Sequence, residues 1–212
     1  MRNFNNRMAR TYRVTGLAQI AALASPVRLE ILEALTTRPT SSVARIAQEI
    51  GRPADGLYYH LKELVRVGLA LPVGRSPGRR RSEALYRAVA RRVAVAYEPG
   101  SPGNVARVNQ MAAALLRLGA RDFRRGFHIG NVVVAGPRRE LWVGRATGRL
   151  SAAGLARVNR LLARASSTFD SPKAPSDRRL YAVTFLLVPI ETGRKPAQRR
   201  RRNRARARGA SP

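Results

Sequence analysis

The side chains best suited to binding a partner cluster in the segment ADGLYYHLKELVRVGL, which begins at residue 54. At about 100° per residue, a helix over residues 54–67 places Leu57, Leu61 and Leu64 on one face. The opposite face then gathers Asp55, Tyr58, Tyr59, Lys62 and Arg66. Two aromatic rings beside two cations suit a surface that stacks, hydrogen-bonds and neutralises phosphate. A helix that is merely solvent-exposed more often carries Glu–Lys pairs.

Other chemistry is poorly represented in the sequence. Cysteine is absent and His60 and His128 are the two histidines, which excludes thiolate and histidine-rich metal sites. We find no glycine-rich phosphate loop, no serine with a plausible histidine and aspartate, and no paired carboxylates. We therefore expect no enzyme activity, no catalytic residue, no metal and no cofactor. His128 is expected to be structural, and His60 either bridges the helix to its neighbours or contacts a phosphate.

Three shorter helices precede this segment and must position it. Apolar residues recur at helical spacing over 15–23, and Ser25-Pro26 is typical of the start of a second helix. That helix has an apolar stripe from Val27 to Leu35, and Glu30 lies off the centre of the stripe. Ser41-Ser42 precedes a third helix, which Gly51 ends. The third helix, the turn containing Arg52 and the 54–67 helix together predict a helix-turn-helix.

A basic hairpin is predicted directly after the 54–67 helix. Residues 69–73 and 84–89 are strand-like and flank the loop GRSPGRRRS. Strand, basic loop and strand are typical of the wing of a winged helix-turn-helix. We expect the cations and the histidine around the helix and wing to contact the phosphate backbone; they are Arg52, His60, Arg66, Arg75, Arg79, Arg80 and Arg81.

The order LASPVRLEILEAL, SSVARIAQEIG, YYHLKELVRVGLA and a basic hairpin ending LYRAV resembles the ArsR-like winged helix-turn-helix regulators of prokaryotes. The resemblance spans roughly residues 16–90. It implies that wing arginines reach the backbone or minor groove and that five residues face bases in the major groove, namely Ala54, Asp55, Tyr58, Tyr59 and Lys62. The metal-sensing branch of that family uses cysteine or histidine and carboxylate clusters, which this sequence cannot assemble.

The second half of the chain predicts a smaller α+β domain. PGSPGN at 99–104 marks a boundary, and the apolar period over 105–118 predicts a helix that either forms a dimer or packs within its own chain. A hairpin is expected from strands at 131–135 and 141–146, then a helix after Ser151 and a strand at 181–190. Trp142 is expected in the core. A small-molecule effector site remains open, since ordinary packing explains Phe123, Phe127, Trp142 and Phe185 equally well.

Charge is the strongest feature of the composition. The chain has 41 basic and 12 acidic residues, a formal net charge of +29, and residues 193–212 contain nine basic residues and no acidic one. Such a charge favours a polyanionic partner, although codon bias toward arginine is an alternative. The tail is expected to be disordered and to contact phosphate non-specifically, or else only to aid solubility.

These patterns predict an α+β protein with four parts: a flexible arm at 1–14, a winged helix-turn-helix domain at 15–98, an α+β domain at 99–192 and the tail. The predicted function is a sequence-specific, homodimeric transcriptional regulator that binds double-stranded DNA. The alternative is a non-specific architectural or RNA-associated protein. The sequence has no membrane-spanning or secretory segment, so we expect a cytoplasmic, nucleoid-associated protein.

Overall fold

The computed structural model describes residues 9–38, 40–76, 82–169 and 179–191. Its elements in chain order are β1 (Ala9–Val14), α1 (Leu17–Ala22), α2 (Pro26–Thr37), β2 (Ser41–Ser42), α3 (Val43–Ile50), α4 (Asp55–Arg66), β3 (Ala70–Arg75), β4 (Ala84–Ala88), β5 (Ala90–Val95), α5 (Pro102–Gly126) and α6 (Ala152–Thr168). The α+β class and the N-terminal helix-turn-helix are confirmed.

The helices that lead to α4 begin and end where local chemistry requires. Pro26 occupies the first turn of α2, where a missing N–H costs nothing. The Ser42 hydroxyl accepts a hydrogen bond from the Arg45 backbone N–H and so caps α3. Gly51 ends α3 with φ of 66°, a left-handed conformation that favours glycine. The sharp turn at Gly51 sets the direction in which α4 leaves α3.

The apolar face of α4 is buried as its spacing predicts. Leu57, Leu61 and Leu64 are each at most 2% exposed and belong to one core that also receives side chains from α2, α3 and β3. Strands β3 and β4 pair antiparallel, and the short β2 pairs with the other side of β4. The predicted wing hairpin is therefore formed beside α4, with an irregularity between Pro72 and Gly74.

The prediction of a loose arm over 1–14 is wrong for residues 9–14. These residues form β1, which pairs in parallel with β5, a strand that the sequence pattern did not indicate. Val14 is fully buried at the end of β1. The Gln19 amide donates hydrogen bonds to the Tyr12 hydroxyl at 3.1 Å and to the Val67 carbonyl at 2.9 Å. Through Gln19, β1 is joined to the C-terminal end of α4.

Helix α5 packs against its own chain along one face. Met111, Ala114 and Leu118 are buried in the same core as α2 and α4. At its start, the buried Asn104 side chain donates to the Ala96 carbonyl and accepts from the Glu98 backbone N–H. These bonds fix the corner between β5 and α5, and they tie α5 to the helix-turn-helix core.

The strands predicted in the second half are not formed within residues 131–146 and 179–191. The expected turn does exist, because the Glu140 backbone N–H donates to the Val133 carbonyl across Gly136, but no ladder extends from it. Trp142, predicted in the core, is 72% exposed and lies under the Arg139 guanidinium at 4.2 Å. Phe127 and Phe185 are also exposed, and Phe123 is half-buried. Strand propensity describes fitness for a paired, half-buried surface, and these residues are largely exposed and pair with no strand within the described ranges.

No helix within the described ranges is long and apolar enough to cross a membrane. The C-terminal segment from 192 onward, which contains the predicted disordered tail, lies outside the described residues.

Candidate nucleic-acid interface

The polar face of α4 is exposed along the length of the helix. Tyr58 and Tyr59 are 58% and 66% exposed, which is unusual for aromatic side chains that could have packed in the core. Asp55 and Lys62 are also exposed on this helix, and Ala54 lies half-buried immediately before it. Four of the five residues that the resemblance assigns to base contacts therefore lie on a surface that nothing in the described chain covers, whereas Ala54 packs partly against the core.

Arg66 lies at the last turn of α4 and is held by an ion pair. Its Nη2 atom lies 2.9 Å from Oε2 of Glu63, one turn earlier on the helix. The hydrogen bond from Arg66 lowers the pKa of the Glu63 carboxyl below its usual value. Both side chains remain open to solvent, so the guanidinium can exchange this carboxylate for a phosphate at little cost.

His60 points away from the exposed face and is half-buried. Its ring meets that of Tyr59 edge-on at 5.4 Å between centroids, and its buried Nδ1 has no hydrogen-bond partner within the described part of the chain. Burial lowers the pKa of the imidazole below its usual value, and the charges of Arg28 and Arg52 lower it further. The lowered pKa favours the neutral imidazole at pH 7, and the ring packs edge-on against that of Tyr59.

Arg52 lies in the turn before α4 and binds inward to a buried carboxylate. Its Nε and Nη2 atoms donate to Oε2 of Glu30 at 3.0 and 2.8 Å. Glu30 is 5% exposed, although the sequence placed it off the centre of the apolar stripe of α2. Its other oxygen, Oε1, lies 2.5 Å from Nη1 of Arg121 on α5. One carboxylate thus joins α2, the turn before α4, and α5.

Of the wing arginines that the sequence predicts to contact phosphate, Arg75 lies among the described residues. Arg75 is exposed at the end of β3, and its Nε donates to the Ser82 hydroxyl at 3.0 Å across the base of the wing loop. Arg79, Arg80 and Arg81 lie outside the described residues. Arg75 therefore marks the point from which the basic loop leaves the sheet.

A groove of about 410 Å³ separates α4 from the wing. Tyr58, Tyr59, Lys62 and Val65 line it from the helix, and Pro72 and Tyr86 line it from the two strands. Tyr86 was missed as a site residue, because only strand pairing places it next to helix residues 21 to 28 positions earlier. Its one sequence signal is its place in LYRAV, the second strand of the predicted hairpin.

Comparison with protein families identifies part of this architecture. The family model described as "Helix-turn-helix domain" matches residues 23–73. This region is a helix-turn-helix domain. The match runs from the end of α1 to the middle of β3 and includes the whole of α4. Helix-turn-helix domains place their second helix in the DNA major groove, so the exposed face of α4 belongs to a DNA-binding domain.

A comparison with curated proteins gives no match. Among solved structures, the chain is similar to a C30AH42A mutant of ZitR from Lactococcus lactis, with 12% sequence identity over 72% of this chain and 73% of that one. The TM-score is 0.23, which is too low to support an argument from that structure. Within the described ranges, no group of three or more histidine, aspartate or glutamate residues is placed to hold a metal ion.

Proposed function

We propose that the protein is a sequence-specific transcriptional regulator that places α4 in the DNA major groove. The observation that carries this proposal is the division of α4 into two faces. Leu57, Leu61 and Leu64 are buried, whereas Tyr58 and Tyr59 are exposed with Asp55 and Lys62 beside them. A helix that serves only as a scaffold gains nothing from exposing two tyrosines.

The residues fall into two roles in this proposal. Ala54, Asp55, Tyr58, Tyr59 and Lys62 face the bases. Arg66, at the far end of α4, contacts a phosphate, as do Arg75 and the wing-loop arginines Arg79, Arg80 and Arg81. Phosphate contacts of this kind fix the register of a protein on the duplex, and the base contacts carry the sequence information.

Arg52 and His60, predicted to contact the backbone, have a different role in the proposal. Arg52 is bound to Glu30, and the pKa of His60 is lowered by burial and by Arg28 and Arg52, which keeps it neutral. We assign both to holding α4 at its angle to the rest of the domain.

The proposal includes a homodimer. A single winged module makes few specific contacts, whereas two modules on a two-fold axis reach half-sites about 34–36 Å apart. Leu17 on α1 and Val105 on α5 are both exposed, and the Leu17 Cδ1 atom lies close to Gly103 at the start of α5. This apolar surface, away from the buried face of α5, supports pairing of two copies through α1 and α5.

Selection from a random duplex pool tests the proposal. We expect enrichment of a two-fold symmetric motif with half-sites about one helical turn apart. Tyr59→Ala should reduce the preference for that motif over random duplex by about tenfold, because one base contact is worth about 1–3 kcal/mol. Tyr97→Ala is the matched control, since Tyr97 is 71% exposed and lies outside α4 and the wing.

Two outcomes contradict the proposal. If selection returns the input distribution while binding stays tight, the protein is the non-specific nucleic-acid binder that its charge of +29 also fits. If Tyr97→Ala and Tyr59→Ala reduce preference equally, α4 is not the element that contacts bases.

A further inference from the structure

We infer that the groove between α4 and the wing accepts the 5-methyl groups of thymine, and that the protein therefore selects thymine at the base pairs that face this groove. The inference rests on the proposed function and names the chemistry that the DNA site must present. Its central residue is Tyr86, which no sequence pattern assigned to the interface.

The groove is built from three elements, one helix and two strands, that meet only in the folded chain. Tyr58, Tyr59 and Val65 come from α4, whereas Pro72 and Tyr86 come from paired positions on β3 and β4. The pairing of Tyr86 with Ser41 on the other side fixes β4 in the middle of the sheet. Tyr86 is half-buried and packs against the core, so its ring is held in place beside α4.

The lining of this groove contrasts with the charge of the chain. Its walls are tyrosine rings and the hydrocarbon of Leu61, Val65 and Pro72, and Lys62 is the one charged residue among the described residues that line it. A groove built to hold phosphate would present several N–H donors or cations. Within the described residues this groove offers one cation, Lys62, and its walls are otherwise ring faces and hydrocarbon, with tyrosine hydroxyls as their polar groups. An apolar group therefore fits it better than a phosphate does.

The major groove of DNA offers one apolar group that meets this requirement. Guanine, cytosine and adenine present hydrogen-bond donors and acceptors there, whereas thymine adds a methyl group to its O4 acceptor. Burying that methyl between tyrosine rings is favourable, and burying the amino group of cytosine without a partner is costly. The groove therefore favours A·T pairs oriented with thymine toward the tyrosines.

Replacing thymine by deoxyuridine removes the methyl group and leaves base pairing intact, so it tests the inference directly. Binding is measured to the selected duplex and to a mixed-sequence duplex pool, each prepared with thymine or with deoxyuridine. We expect about fourfold weaker binding for each methyl that the groove buries. In Tyr86→Ala the difference between thymine and deoxyuridine duplexes should shrink toward zero, and Tyr86→Phe should retain it because the ring remains.

Tyr59→Ser provides a second variant that does not depend on the fold, because Tyr59 is exposed. It should also reduce the thymine preference, whereas Tyr97→Ser should leave it unchanged. Equal affinity of the unmodified protein for thymine and deoxyuridine in both duplexes would overturn the inference. If a symmetric motif is nevertheless enriched, the proposed function stands and only the inference about thymine fails. If no motif is enriched but the pool still shows a thymine preference, the inference stands. Sequence selection by base contacts other than the methyl group then fails.

Discussion

Glu30 shows how one residue can determine the geometry of a whole interface. It is buried at 5% exposure, and it accepts hydrogen bonds from Arg52 in the turn before α4 and pairs with Arg121 on α5. A buried carboxylate is tolerated only when its oxygens are paired. Here both oxygens have a guanidinium partner, so the side chain holds α4 and α5 in a fixed relation although it contacts no DNA in our proposal.

Glu30→Ala should lower the free energy of unfolding by about 2–3 kcal/mol, as measured by urea denaturation. We expect a smaller loss of stability than for a fully buried ion pair, because the Arg52 and Arg121 side chains are 35% and 23% exposed. Water can hydrate both guanidinium groups once the carboxylate is removed. Glu63→Ala removes an exposed ion pair and is the matched control, which should change stability little. Equal losses in the two variants would show that burial of Glu30 contributes nothing.

At the scale of elements, local periodicity was enough for α3, α4 and the wing hairpin. The apolar spacing of α4 and the caps at Ser42 and Gly51 are properties of the segments themselves, so their bounds agree with the prediction to within one or two residues. The exposed face of α4 follows from the same periodicity. Tyr86 could not be found in this way, because its place in the groove depends on strand pairing.

The wrong strand predictions have the same cause, whether a strand was missed or a predicted strand did not form. Residues 9–14 mix arginine and threonine with apolar residues, and they form β1 because β5 supplies a parallel partner that only the folded chain brings near. Residues 131–135, 141–146 and 181–190 are strand-like in composition, yet none of these segments pairs with a strand in the described chain. A strand-like composition shows that a segment is suited to a sheet, but the segment forms a strand only when it pairs with another strand.

Val14→Ala tests whether β1 is part of the domain. Val14 is fully buried in the common core, so we expect a loss of about 1–3 kcal/mol in the free energy of unfolding, measured by thermal or urea denaturation. Thr11→Ala, in the same strand but exposed, should cost less than half as much. If residues 9–14 were instead a loose arm, both substitutions would be neutral.

At the scale of the whole molecule, the net charge and the shape of the surface make different contributions to the proposed DNA binding. Several acidic side chains are engaged in ion pairs, including Glu30, Glu49, Glu63 and Glu140. With 41 basic and 12 acidic residues, such pairs can neutralise only a minority of the cations. The surplus favours any polyanion, and discrimination among polyanions must come from the shaped surface of α4 and its groove.

Removing residues 194–212 separates these two contributions. The deletion takes away nine basic residues and changes the formal net charge from +29 to +20 (29 − 9 = 20). We expect weaker binding to the selected motif and to random duplex by the same factor, and a shallower dependence of log K on log salt by up to about 8 units, since each phosphate contact contributes about 0.9. Replacing the tail arginines by lysine preserves the charge and should preserve the slope, so it controls for length and composition. Loss confined to the selected motif would place sequence discrimination in the tail and contradict the division between charge and shape.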